Sequence, residues 1–158
     1  IVGAKNSGKT TLIEAMVPIF IAKGLKVATI KHTGHDHTFD TRGKDTFRHR
    51  QAGAGLTMAI SQSDMAVFAK PEEQNLLIAN EIIARHFDLC LIEGDKQSSR
   101  PKALLTANIE QLKPPSPENV IVSYGSTRFS TSLQHFQLND VAGLTSFFIK
   151  EYLTLVKE

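Results

Sequence analysis

The amino-acid sequence predicts a three-layer α/β/α domain on a mixed, mostly parallel sheet, and three observations carry that expectation. Short apolar runs rich in Val and Ile alternate with stretches of helical periodicity, as in β-α-β units. The stretch from Gly3 to Thr10 reads G-x-x-x-x-G-K-T and leads straight into a helical pattern. The apolar run LCLI ends in an acid, Glu93. A chain of 158 residues is expected to form one domain, residues 1–158.

Ile1 and Val2 stand where the loop's preceding strand belongs. Such a strand runs to about five or six residues, so the numbering is expected to start inside the protein. TTLIEAMVPIFIAKG follows as a helix, in which Pro18 removes one backbone hydrogen bond and bends the axis. Gly24 sets off LKVATIK (25–31) as a strand, and KDTFRHRQAGA reads as a helix. GLTMAIS (55–61) and MAVFAK (65–70) are strands that the short polar link QSD pairs as a hairpin. Pro71 suits a helix's first turn. In EEQNLLIANEIIARHF, Leu76, Ala79, Ile83 and Phe87 recur at helical spacing and are expected to face the sheet. DLCLIEG (88–94) is a buried strand that Asp88 opens in a structural role. KALLTA and NVIVSYG add two strands around the Pro-rich loop LKPPSPE. LNDVAGLTSFFIKEYLTLVKE closes the chain as a helix with a wide apolar face.

Composition narrows the function. The 41% hydrophobic and 22% charged fractions are those of a soluble globular protein. No run approaches the ~18 apolar residues of a membrane span, so no membrane partner and a cytoplasmic location are expected. Cys90, the single cysteine, sits within LCLI and reads as a small buried hydrophobe, with no partner for an intramolecular disulfide. Net charge is only +2, but it is uneven. Between positions 31 and 50, Lys31, Arg42, Lys44, Arg48, Arg50 and four of the six histidines face only Asp36, Asp40 and Asp45. That is a local anion-attracting patch. It lacks interleaved aromatics, so no nucleic-acid partner is expected.

The glycine loop has a specific chemistry. Gly3 and Gly8 let the backbone turn its N–H groups toward an anion, so Gly3, Ala4, Lys5, Asn6, Ser7, Gly8, Lys9, Thr10 and Thr11 form a candidate phosphate cradle. Lys9 brings an ammonium to the outer phosphates, and Thr10 can hold Mg²⁺. The bland alternative is an ordinary Gly-rich turn. Glu93 reads as a second metal ligand or as the group that orients a water, with Lys9 and Glu93 as the catalytic candidates; a strand-end surface acid is the competing reading. His32, His35 and His37 could offer three imidazoles to zinc, but no cysteine accompanies them and Gly34 loosens the loop. Arg48 could fork onto an anion, against the alternative of a solvated basic helix face.

The combination of GAKNSGKTT, a KH leading into a His-rich stretch, FDTRGKDTFRHRQAGA and LIEGDK resembles the molybdopterin-guanine dinucleotide biosynthesis protein B (MobB) family of P-loop GTP-binding proteins. The likeness covers about the first hundred residues. It implies the P-loop NTPase fold, GTP and Mg²⁺ as cofactors, weak GTPase activity at most, and a homodimer. It also implies an adapter role beside the molybdenum cofactor guanylyltransferase, the enzyme that joins GMP to molybdopterin, with molybdopterin itself a further candidate ligand. By position the family's phosphate loop falls on Gly3, Gly8, Lys9, Thr10 and Thr11, and its strand-end acid on Glu93. Its basic-histidine signature falls on Lys31, His32, His35, His37, Asp40, Lys44, Asp45, Arg48 and His49, an anion- or partner-sensing set. No N/T-K-x-D guanine-reading motif occurs, so guanine preference rests on the resemblance alone. Two alternatives stand beside this reading. One is a small-molecule kinase with Arg48 and Arg50 clamping the transferred group, and the other is a non-hydrolysing nucleotide-binding module.

Overall fold

The computed structural model describes residues 1–34, 37–112 and 117–153. In chain order its elements are α1 (Lys9–Ala22), β1 (Val27–Lys31), α2 (Asp45–Gln51), β2 (Leu56–Ile60), β3 (Met65–Ala69), α3 (Glu73–His86), β4 (Leu89–Glu93), β5 (Lys102–Leu105), β6 (Val120–Gly125), β7 (Gln134–Gln137) and α4 (Val141–Phe148). A 3₁₀ turn covers Ile109–Gln111, and a π-helical turn, Ile149–Leu153, extends α4. The chain forms two compact units, Ile1–Gly34 with His86–Glu158, and His35–Arg85.

Every strand pair of the first unit is parallel: β1 with β4, β5 with β6 and β6 with β7. Ile1 and Val2 join the two sheets. The Ile1 amino group donates to the Ile92 carbonyl at 2.8 Å and the Gly94 N–H to the Ile1 carbonyl at 3.0 Å. On the other side Val2 N–H reaches the Ala103 carbonyl at 2.9 Å and Leu105 N–H the Val2 carbonyl at 2.8 Å. The two residues thus take the central position of the order β1-β4-(Ile1-Val2)-β5-β6-β7. Asp88 is structural, as read, for its carboxylate accepts the Lys26 N–H at 2.8 Å and ties the entrances of β4 and β1.

α1 forms because Leu12, Met16 and Phe20 recur at four-residue spacing beside Ile13, giving one apolar stripe. That stripe meets Leu91, Ala103, Leu105, Val122, Tyr124 and Phe136 of the sheet and Leu144 of α4. Met16, Phe20, Val122 and Leu144 are fully buried, each contributing about 1.5–3 kcal/mol. α1 continues through Pro18. α4 starts at Val141, three residues later than the apolar pattern implies, because the Asp140 side chain caps it by accepting the Gly143 N–H at 2.9 Å. QHFQ was not legible as a strand, although it forms β7 with Phe136 buried.

In the second unit β2 and β3 pair antiparallel as the link QSD implies, forming a sheet of their own. Ser61 holds the turn, its hydroxyl accepting the N–H groups of Ser63 and Asp64 at 3.3 and 3.0 Å. The register sets Leu56, Met58 and Ile60 opposite Ala69, Val67 and Met65, so one face is an apolar ladder. It is exposed, up to 73% at Ile60. α3 contains no buried residue, and Leu76 and Phe87, expected to face the sheet, are exposed. Helical spacing shows which face of a helix can be covered, not what covers it.

Candidate functional site

The site is built at the carboxyl ends of the first unit's strands, where open α/β sheets bind ligands. Gly3 leaves the sheet so close to its neighbours that a Cβ there would lie 2.7 Å from Ser7 Oγ and 3.1 Å from Leu105. Asn6 and Gly8 take left-handed backbone angles, φ 57° and 88°. No side chain caps α1, whose first bond runs from Leu12 N–H to the Gly8 carbonyl at 2.9 Å. The amides of Lys9, Thr10 and Thr11 are therefore the open donors of its first turn, at the positive end of the dipole. Ser7 is 7% exposed and its hydroxyl has no hydrogen-bond partner among the described residues. Such an atom costs about 1–3 kcal/mol, which a ligand oxygen would recover.

Thr10 donates its hydroxyl to Glu93 Oε2 at 3.0 Å, and the Lys31 ammonium pairs with Oε1 of the same carboxylate. Lys31 and Glu93 are register partners in the β1–β4 ladder, so the pairing follows from the sheet. Burial alone would raise the Glu93 carboxyl; hydrogen bonds from Lys31 and Thr10, with the charges of Lys31 and Lys9, outweigh it and hold the group below its ordinary 4.5. Lys9 lies across its own loop, donating to the Ala4 carbonyl at 2.5 Å and the Gly3 carbonyl at 3.4 Å. Burial pushes its ammonium down, Glu93 opposes this, and Lys31 and Lys96 add to it.

The segment after Glu93 is held from both sides. His32 N–H donates to the Glu93 carbonyl at 2.9 Å, and a Cβ on Gly94, at φ 92°, would lie 2.6 Å from the His32 carbonyl oxygen. Asp95 pairs with Arg100 at 3.3 Å, and buried Lys102 donates to the carbonyls of Ser98 and, at 3.1 Å, Arg100. Sequence reasoning missed Gly94, although a glycine directly after the strand-end acid was a signal. It also missed Asn108, whose Nδ2 lies 3.5 Å from the Asn6 carbonyl, and the TAN stretch that carries it has no recognisable pattern. Cys90 is half-buried rather than buried, and burial raises its thiol.

Of the basic-histidine set, Lys31 and His32 stand in the first unit, and His35 lies outside the described residues. His37, Asp40, Lys44, Asp45, Arg48 and His49 belong to the second unit. There Asp40 is buried, accepting the Thr46 hydroxyl at 2.8 Å and Arg50 at 3.3 Å. Arg50 also lies over the Phe68 ring at 5.9 Å. Asp40 and Arg50 thereby anchor α2. Lys44 is the N-cap residue of α2, Asp45 sits in its first turn, and Arg48, His49 and Arg50 in its last, as the helix dipole favours. The His37 ring meets Phe39 edge-on at 4.8 Å. Among the described residues no three His, Cys, Asp or Glu side chains are grouped to hold a metal, and no helix is long and apolar enough to cross a membrane.

Known proteins share this architecture. A family model, molybdopterin guanine dinucleotide synthesis protein B, matches residues 1–123. The molybdopterin-guanine dinucleotide biosynthesis adapter protein of Escherichia coli is 31% identical over 152 residues, covering 92% of this chain and 87% of that protein. The adapter protein of the same name from Haemophilus influenzae is 33% identical over 123 residues, 75% of this chain and 66% of that one. The crystal structure of Bacillus subtilis MobB superposes with a TM-score of 0.68 at 26% identity, covering 92% of this chain and 91% of the other, which agrees with the P-loop NTPase fold expected from the sequence. The chain belongs to the molybdopterin guanine dinucleotide synthesis protein B (MobB) family.

Proposed function

We propose that this chain binds GTP with Mg²⁺ at Gly3–Thr11 and serves as an adapter, with slow hydrolysis at most, in molybdopterin guanine dinucleotide biosynthesis. The observation that carries the reading is the Thr10–Glu93 contact at 3.0 Å, because it brings the loop hydroxyl and the strand-end acid to one point. The family and the names of its adapter relatives support the pathway. A bound Mg²⁺ would neutralise charge on the outer phosphates, with Thr10 and Glu93 the residues to hold it. The orphaned Ser7 hydroxyl and the open amides of Lys9 to Thr11 fit a phosphate oxygen. Lys9 would exchange the carbonyls of Ala4 and Gly3 for those phosphates. Glu93, already ionised at neutral pH, needs no proton removed before it serves. No water-positioning Gln or arginine finger is recognisable in the motifs, which fits slow turnover. Arg50 is committed to Asp40 and Phe68, and this favours the adapter over a kinase that needs Arg48 and Arg50 as a clamp.

We read residues 1–158 as one nucleotide-binding domain, cytoplasmic, with the stretch His35–Arg85 carrying the contacts to partners. The guanylyltransferase and its molybdopterin are the partners this reading implies, with His37, Lys44, Arg48 and His49 as the sensing residues. The exposed β2–β3 ladder is the surface for a second copy of the chain, since a two-stranded hairpin is marginal in water without cover. Sedimentation of Met58→Lys tests the dimer: a wild-type dimer that becomes monomer is expected. Glu93→Gln tests the site, keeping size and removing charge. Mg²⁺-dependent GTP hydrolysis should fall by more than GTP affinity does; turnover equal to wild type would make Glu93 a mere strand-end acid.

A further inference from the structure

Resting on the metal-bound reading of Thr10 and Glu93, we propose that Lys31 is a resident stand-in for the divalent cation, a positioning residue that must leave Glu93 before the metal can be held there. Three observations carry it. Each Glu93 oxygen is already engaged, Oε1 by the Lys31 ammonium and Oε2 by the Thr10 hydroxyl. Both groups suited to a divalent ion are thus occupied by each other and by a side-chain cation. The two partners differ in freedom, because the Glu93 side chain is 9% exposed whereas that of Lys31 is 57% exposed. Lys31 can therefore swing into solvent without disturbing the core, while the carboxylate stays where the strand holds it. The ladder keeps Lys31 beside Glu93 throughout, since they are register partners and the His32 N–H still bonds the Glu93 carbonyl at 2.9 Å. A carboxylate with this little exposure is costly without a counter-charge, and Lys31 supplies one when no metal is present. Its release frees an ammonium at the start of the basic stretch 31–50, next to His32.

The test uses the full chain with Lys31→Met, which keeps length and removes charge, and Lys31→Arg, which keeps the cation. In one arm a fluorescent GDP analogue reports binding as Mg²⁺ is titrated. In the other, Mn²⁺ alone is titrated against nucleotide-free protein and free Mn²⁺ is read by electron paramagnetic resonance. Lys31→Met should lower the half-saturating metal concentration about fivefold in both arms, the upper range for an exposed ion pair, and Lys31→Arg should stay near wild type. An unchanged or raised metal requirement in Lys31→Met overturns the stand-in. If the wild type binds no GDP analogue at any Mg²⁺ concentration, the nucleotide reading falls, and the Mn²⁺ arm still decides the role of Lys31.

Discussion

Replacing Gly94 by Ala should loosen the site by parting the ends of β1 and β4, and the structure gives the size of the effect. The residue sits at φ 92°, where an L side chain costs about 1–2 kcal/mol. The new Cβ would also lie 2.6 Å from the His32 carbonyl oxygen, a backbone atom with no freedom to turn aside. Overpacking of that kind costs about 1–3 kcal/mol, so the total is about 2–5 kcal/mol. Gly24→Ala is the internal control, for it has φ 81° but nothing within 4 Å of the added Cβ, leaving only the backbone strain. Urea unfolding of both variants separates the two contributions, with Gly94→Ala less stable by the additional ~1–3 kcal/mol. In a chain of 158 residues each kcal/mol moves Tm by about 2–4 °C, so thermal scans should show the same order. The strain falls on the His32–Glu93 bond and shifts the Glu93 carboxylate away from Thr10, so Mg²⁺-dependent GTP hydrolysis should drop in Gly94→Ala and not in Gly24→Ala. Equal losses of stability in the two variants would refute the close approach.

Lys9→Ala should weaken nucleotide binding tenfold or more, the worth of a charge-assisted contact, with the melting temperature little changed; calorimetry checks both. Phe20→Ala empties a fully buried position in α1 and should cost about 3–5 kcal/mol in urea unfolding. The pH dependence follows from Glu93. Its folded carboxyl lies below the ordinary 4.5, so its stabilising share is complete above that value and disappears as pH falls through the lower folded one. The stability difference between wild type and Glu93→Gln should therefore be flat around neutral pH and shrink only below pH 4.5.

The fold was legible where one local pattern had one packing outcome. Leu12, Met16 and Phe20 at four-residue spacing could only be a helix's buried stripe, and LCLI between Asp88 and Glu93 could only be an inner strand. QHFQ escaped notice because a single buried Phe136 on a short edge strand leaves no alternation to read. The apolar spacing of α3 was real and its covering was not deducible, because periodicity carries no information about the opposing surface. The meeting of the Gly3–Thr10 loop with Glu93 was legible because both follow strands of a parallel sheet and so emerge at the same edge. The Lys31–Glu93 pair was not, since it depends on strand register between segments 62 residues apart. The burial of Asp40 was not legible either, since it depends on α2 bringing Thr46 and Arg50, one helical turn apart, onto the same carboxylate.

The central claim is guanine nucleotide binding at Gly3–Thr11, and calorimetric titration of the full chain with GTP and with ATP, each with and without Mg²⁺, tests it most directly. The account predicts one nucleotide per chain, tighter for GTP than ATP, strengthened by Mg²⁺ and weakened tenfold or more by Lys9→Ala. Binding of neither nucleotide, or affinity for GTP that neither Mg²⁺ nor Lys9→Ala alters, would contradict it.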